Sequence, residues 1–237
     1  MESGSRGWGF PSPDSDYDVR FLYVRRPAWY LAIDRHARRE VIETPVEGLW
    51  DVNGWDLRKA LALFRKSNAP LLEWLQSPIV YREPFSTASQ MRDHMGAVYS
   101  PVACLHHYLK TAHTNYQGGE ARSIKSYFYV LRPLLACRWI EQGRGPVPML
   151  FQRLVEGTDL PGPTRAAVAT LLETKRTSAE RQLRPHLPEL DEFIAAELAR
   201  HAASRVVGAP HHPAAAPLNR IFYDALREVW GIEVRSS

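Results

Sequence analysis

An α+β fold, a small mixed sheet followed by a helical domain, is predicted by three features of the sequence. Short runs of β-branched and aromatic residues separated by turn residues fill the first third. At Gly54 the spacing of apolar residues changes from strand-like to helical. From there to residue 229 the helical pattern persists, with Pro and Gly at its joints.

The elements follow in order. Residues 18–24 and 29–33 read as strands separated by a basic turn containing Pro27, and Val41-Ile42-Glu43 and Leu49-Trp50-Asp51-Val52 as two further short strands divided by Pro45 and Gly48. Leu57, Ala60, Leu61 and Phe64 recur at i, i+3, i+4, i+7, which predicts an amphipathic helix over 55–66. Ser100 before Pro101 resembles a cap followed by Pro in the first helical position, opening a helix over 101–116 that Gly118-Gly119 closes. Ser123 is placed to cap a helix over 124–141, which Pro133 should kink. Further helices fit 148–155, 164–183, 188–204 and 217–229, and the Pro/Ala-rich stretch 205–216 reads as a linker. The expected division is 1–84 and 85–237.

Composition narrows the class. Of 237 residues, 45% are hydrophobic and 24% charged, and no apolar run reaches the ~18 residues of a membrane span. No basic stretch followed by an apolar core opens the chain, so the cytoplasm is the expected compartment. Cys104 and Cys137 fall inside apolar helical patterns and are expected to be reduced core thiols. His106-His107 are adjacent, and His211-His212 lie in the linker without cysteines at zinc spacing, so neither pair predicts a zinc site. Trp50, Trp55, Trp74 and Trp139 are expected in the core. The net charge of +4 suits a polyphosphate or nucleic-acid ligand without requiring one, and the run Arg35-His36-Ala37-Arg38-Arg39 reads as a solvated loop.

The segment Gly4-Ser5-Arg6-Gly7-Trp8-Gly9-Phe10-Pro11-Ser12-Pro13-Asp14-Ser15-Asp16-Tyr17-Asp18-Val19-Arg20-Phe21 carries the chemistry. Strand side chains alternate, so Asp16 and Asp18 project from one face with their carboxylates close together. Such a pair suits Mg²⁺, which takes one or two carboxylates plus phosphates and water, and two ions can clamp the attacking and leaving oxygens of an in-line displacement. Gly4 removes a Cβ where backbone would approach a phosphate, and Ser5 offers a hydroxyl and an N–H. Arg20 shares the aspartates' face, where it either meets phosphate or neutralises the carboxylates. On the helix over 124–141, Ile124, Phe128, Leu131 and Leu135 form an apolar stripe, leaving Lys125, Tyr129 and Arg132 on another face. That face is either solvated, or built for two cations to meet phosphates while Tyr129 stacks on a base or sugar.

A lone Asp-x-Asp is common in turns, but here it follows Gly-Ser and runs into an apolar strand. The combination resembles the Gly-Ser…Asp-x-Asp signature of the DNA polymerase β nucleotidyltransferase superfamily. The fuller string, with Gly54-Trp55-Asp56-Leu57-Arg58-Lys59 and the segment from Ile124 to Ala136, is similar to one subfamily, the predicted nucleotidyltransferases encoded beside RNA ligases and implicated in RNA repair. The resemblance implies a nucleotidyltransferase sheet in 1–84, a nucleotide- or substrate-binding helical domain in 85–237, Mg²⁺ at Asp16 and Asp18, and an NTP substrate. It also implies a third carboxylate in an apolar-Asp-apolar triplet on a neighbouring strand. Asp51 in Trp50-Asp51-Val52 fits, whereas Asp56 stands where an aspartate would cap the next helix. An RNA end is the implied acceptor and an RNA ligase an implied partner. Transfer to a small molecule, or non-catalytic RNA or nucleotide binding, are the alternatives. Superfamily members carry a strand and helix before Gly-Ser, where this chain has Met1-Glu2-Ser3. The reading is therefore of a frame lacking both, with the sheet edge beside the carboxylates left exposed.

Overall fold

The computed structural model describes residues 1–34, 39–116, 123–177, 187–203, 208 and 213–232. By internal contacts the chain divides into two units, one of Met1–Ser3, Asp16–Ser100 and His211–Ser237, the other of Gly4–Ser15 and Pro101–Pro210. These interleave along the chain, where the sequence reading draws one line at 84/85.

The first unit holds the sheet. Tyr17–Tyr23 (β1), Val41–Glu43 (β2) and Trp50–Asp56 (β3) lie in the order β1-β3-β2. β1 pairs with β3 in parallel and β2 with β3 antiparallel, so the sheet is mixed as predicted. The outer edge of β1 is not bare, contrary to the expectation of an exposed edge. Glu2 bridges Val19 antiparallel, Ser3 N–H donates to the Asp18 carbonyl at 2.9 Å and Arg20 N–H to the Met1 carbonyl at 2.9 Å. These bonds pair backbone groups of Asp18 and Arg20 on that edge.

Residues 29–33 are not a strand. Pro27–Leu31 forms a helical turn, α2 (α1 is Gly4–Gly7, below), because Pro27 presets the helical φ in the first turn. β3 runs on to Asp56, and Leu57–Arg65 (α3) begins two residues later than predicted. Leu57, Ala60, Leu61 and Phe64 are its buried face. Ala69–Leu75 (α4), Thr87–Asp93 (α5) and Met95–Val98 (α6) follow. The four tryptophans do not share one fate: Trp55 packs on Trp74 at 4.1 Å between ring centroids, but Trp50 is half exposed and stacks on Tyr17, its partner across the ladder.

The second unit is built on Pro101–Asn115 (α7), Ile124–Glu141 (α8), Phe151–Gly157 (α9), Gly162–Thr177 (α10) and Pro188–Ala203 (α11); Ala216–Trp230 (α12) returns to the first unit. Ser123 caps α8 in a reciprocal box with Ser126, and the helix runs through a buried Pro133. Gly118-Gly119, most of 205–216, His211-His212 and Arg35–Arg38 lie outside the described residues. Cys104 and Cys137 are free and buried, and no described helix is long and apolar enough to cross a membrane.

Candidate active site

In the sheet unit, parallel pairing sets Asp18 directly opposite Asp51. Neighbours across a ladder share a face, so the register alone brings the two carboxylates together. Arg20, two residues on along β1, reaches back between them. Its Nη2 donates to Asp18 Oδ1 at 2.9 Å and to Asp51 Oδ2 at 2.7 Å, and its Nη1 to the Asp51 carbonyl at 2.9 Å. Burial pushes the Asp18 carboxyl above its usual range; Arg20 pulls it down, and the Asp51 and Glu2 carboxylates push it up again. Glu2 stands close because its Oε1 accepts the Asp18 N–H at 2.7 Å while Tyr81 donates to its other oxygen.

The donor set fits a hard cation. Two carboxylates on adjacent strands lie within hydrogen-bond distance of one nitrogen, and burial and the acids beside it disfavour the charged form of Asp18, which a further cation would stabilise. Asp16 is one residue ahead of β1 and exposed. Among the described residues, no group of three or more acid, His or Cys side chains is assembled as a metal cluster. The register joins Asp18 and Asp51, and Arg20 bridges the two carboxylates.

Asp56 does other work. It caps α3 by accepting the Arg58 N–H at 3.0 Å, and it accepts the Tyr30 hydroxyl at 2.7 Å.

In the helical unit, Gly4–Gly7 (α1) opens on Gly4 with φ 56°, a left-handed value that a glycine adopts without strain. The Ser5 hydroxyl donates to Ser15 Oγ at 3.0 Å. Trp8 and Phe10 tie the segment to α8 and α9: Phe10 stacks on Phe128 at 4.2 Å and meets Phe151 edge-on, and the Phe151 N–H donates to the Trp8 carbonyl. This packing decides the fate of Lys125, Tyr129 and Arg132. Arg132 is buried, its guanidinium 4.7 Å from the Trp8 ring and bonded to the Pro148 and Met149 carbonyls, so it is not on a solvated face. Tyr129 meets Trp8 edge-on, and Lys125 stands over the Tyr129 ring at 5.9 Å; both are half-buried.

Sequence reasoning assigned no role to Glu2, to Ser12 and Ser15, or to Lys175, which is buried against Ser12. The two serines lie inside the segment singled out above, so they were within reach; nothing in the residue types announced Glu2 or Lys175.

The family model described as RNA repair pathway DNA polymerase beta family (RlaP) matches residues 1–224. A Bacillus subtilis (strain 168) protein named "Uncharacterized protein YcgL" is 45% identical over 234 residues, which cover 97% of this chain and 89% of that protein. No solved structure matches significantly. With a match along nearly its whole length, the chain belongs to the RNA repair pathway DNA polymerase beta family.

Proposed function

We propose that this protein transfers a nucleoside monophosphate from an NTP to a hydroxyl, with an RNA end as the acceptor. The observation that carries the reading is the pairing of Asp18 with Asp51 on adjacent parallel strands, with a single guanidinium between them. In the reaction the acceptor oxygen bonds to the α-phosphorus, the bond to the bridging oxygen breaks, and pyrophosphate leaves. Asp51 takes the proton of the acceptor hydroxyl. Asp16, Asp18 and Asp51 would hold two Mg²⁺ ions, which when bound supply charge for the triphosphate and the attacking oxygen. Arg20, released from the carboxylates, is assigned to a phosphate. Gly4 and Ser5 are assigned to the triphosphate, Lys125 and Tyr129 to phosphate and base or sugar, and Arg132 supports Tyr129 from within through Trp8. Membership of an RNA repair family supports an RNA acceptor and an RNA ligase as partner.

Radiolabelled NTPs offered to total RNA with Mg²⁺ test the reading. Asp16→Asn, Asp18→Asn and Asp51→Asn should each abolish transfer while keeping the fold, because the substitution removes charge at nearly constant volume. Activity within about tenfold of the parent in any of them would sink that residue's assignment. The ion pairs that Arg20 makes with both Asp18 and Asp51 also support a second reading, a non-catalytic nucleotide- or RNA-binding protein. Binding without transfer of any NTP would decide for it.

A further inference from the structure

The hydroxyl of Ser5 is the outer end of a chain of polar groups that leads away from its own short helix. Ser15 Oγ accepts from Ser5 Oγ at 3.0 Å and from the Ser12 N–H at 2.9 Å, and it lies 2.8 Å from Ser12 Oγ. Lys175 Nζ, from α10, donates to Ser12 Oγ at 3.0 Å. A hydroxyl accepts two hydrogen bonds and donates one. Ser12 Oγ accepts from Lys175 and shares a hydrogen bond with Ser15 Oγ, so the bonds meet at Ser12. Arg6 adds a clamp from outside, its Nε and Nη2 donating to the Ser15 carbonyl at 3.3 and 2.9 Å.

The inner part of this chain is dry. Ser15 is 0%, Lys175 2% and Ser12 3% exposed. A lysine is among the costliest residues to bury, and its ammonium is tolerated only where it meets acceptors of good geometry. Lys175 meets Ser12 Oγ across 163 residues of sequence, in the loop that joins the Gly-Ser pair to the aspartates.

We infer that Lys175 is a positioning residue for nucleotide binding, fixing the Ser5 hydroxyl through Ser12 and Ser15. The inference rests on the nucleotidyltransfer reading for what Ser5 grips, and on the geometry alone for what Lys175 holds. Displacing a binding group by ~1 Å costs on the order of a hundredfold, so an unanchored loop should be felt at the triphosphate even though Lys175 touches none of it.

The test compares the full-length parent with Lys175→Met, Ser12→Ala and the double variant, using amide hydrogen exchange and equilibrium binding of each common NTP with Mg²⁺. Lys175→Met should speed exchange across Gly4–Ser15 by about tenfold or more while leaving residues 124–141 unchanged. It should also weaken NTP binding by roughly 10- to 100-fold. Because both residues act on one path, the double variant should bind no worse than the weaker single variant. Unchanged exchange in Gly4–Ser15, or losses that multiply in the double variant, would overturn the inference. Should Lys175→Met fail to fold, Ser12→Ala carries the same test, and unchanged exchange there overturns it. A parent that binds no NTP overturns the nucleotidyltransfer reading; a parent that binds one while Lys175→Met binds it equally well overturns this inference alone.

Discussion

Arg20 draws one carboxylate partner from its own strand and the other from the strand beside it. Its position two residues beyond Asp18 put it on the carboxylate face, and only the parallel register with β3 added Asp51 to its contacts. Replacing it with Met removes charge-assisted hydrogen bonds worth about 1.5–3 kcal/mol and leaves two carboxylates facing each other. Arg20→Met should therefore lower the thermal midpoint without divalent cations, and Mg²⁺ should recover more of it than in the parent, since an ion that binds only the folded state stabilises it by mass action. A midpoint that Mg²⁺ leaves unmoved in both proteins would count against a metal at this pair. The capping role of Asp56 was legible beforehand because a cap has a local signature, an aspartate just ahead of an apolar helical period, and Asp56 does cap α3. Lys175 was not legible. Its neighbours along α10 give a lysine in the last turn every appearance of a solvated charge, and its partner is remote in sequence.

Single elements were legible where local chemistry governs them. The period of α3 and the Ser123 cap of α8 belong to that class. Residues 29–33 misled because aromatic content reads as strand, whereas Pro27 ahead of it starts a helix. β3 extends to Asp56 because Gly54 leaves room for Phe21, its partner across the ladder; a Cβ there would come within 2.3 Å of that ring. The amphipathic reading of α8 fails from Tyr127 onward, where the helix is buried almost all round. Glu197 on α11 is part of that packing, accepting from Arg138 of α8 at 2.8 Å and from Arg200. Burial pushes its carboxyl up, but the hydrogen bonds and charges of the two arginines outweigh this and bring it down to about 2. A carboxylate whose pKa is lower folded than unfolded contributes stability above the unfolded value, and the contribution is lost as pH falls through the folded one. The parent should lose stability between about pH 4.5 and 2 at this group. Glu197→Gln should be less stable at neutral pH and show a shallower acid loss, measured by urea midpoints across that window. Parallel curves would show that Glu197 ionises alike in both states.

At the scale of the whole molecule, the signature motif is divided between the two compact units. Gly4–Ser15 belongs with the helices and Asp16 onward with the sheet, a division that a motif read as one string conceals. The reason is physical: Trp8 and Phe10 have aromatic partners on α8 and α9, and Ser12 has Lys175 on α10, which tie the segment to the helical unit. A residue near the start of the chain should therefore govern the stability of helices more than a hundred residues away. Phe10 is 2% exposed and stacked on Phe128, with Phe151 across its edge. Truncating such a ring leaves a cavity among aromatics and costs about 3–5 kcal/mol, a large share of the ~5–15 kcal/mol that holds a typical domain. Phe10→Ala should lower the urea midpoint, and in hydrogen exchange it should release amides of α8 and α9 while those of β1 and β3 keep their protection. Loss of protection confined to the strands, with α8 and α9 unchanged, would show that Gly4–Ser15 is anchored to the sheet instead.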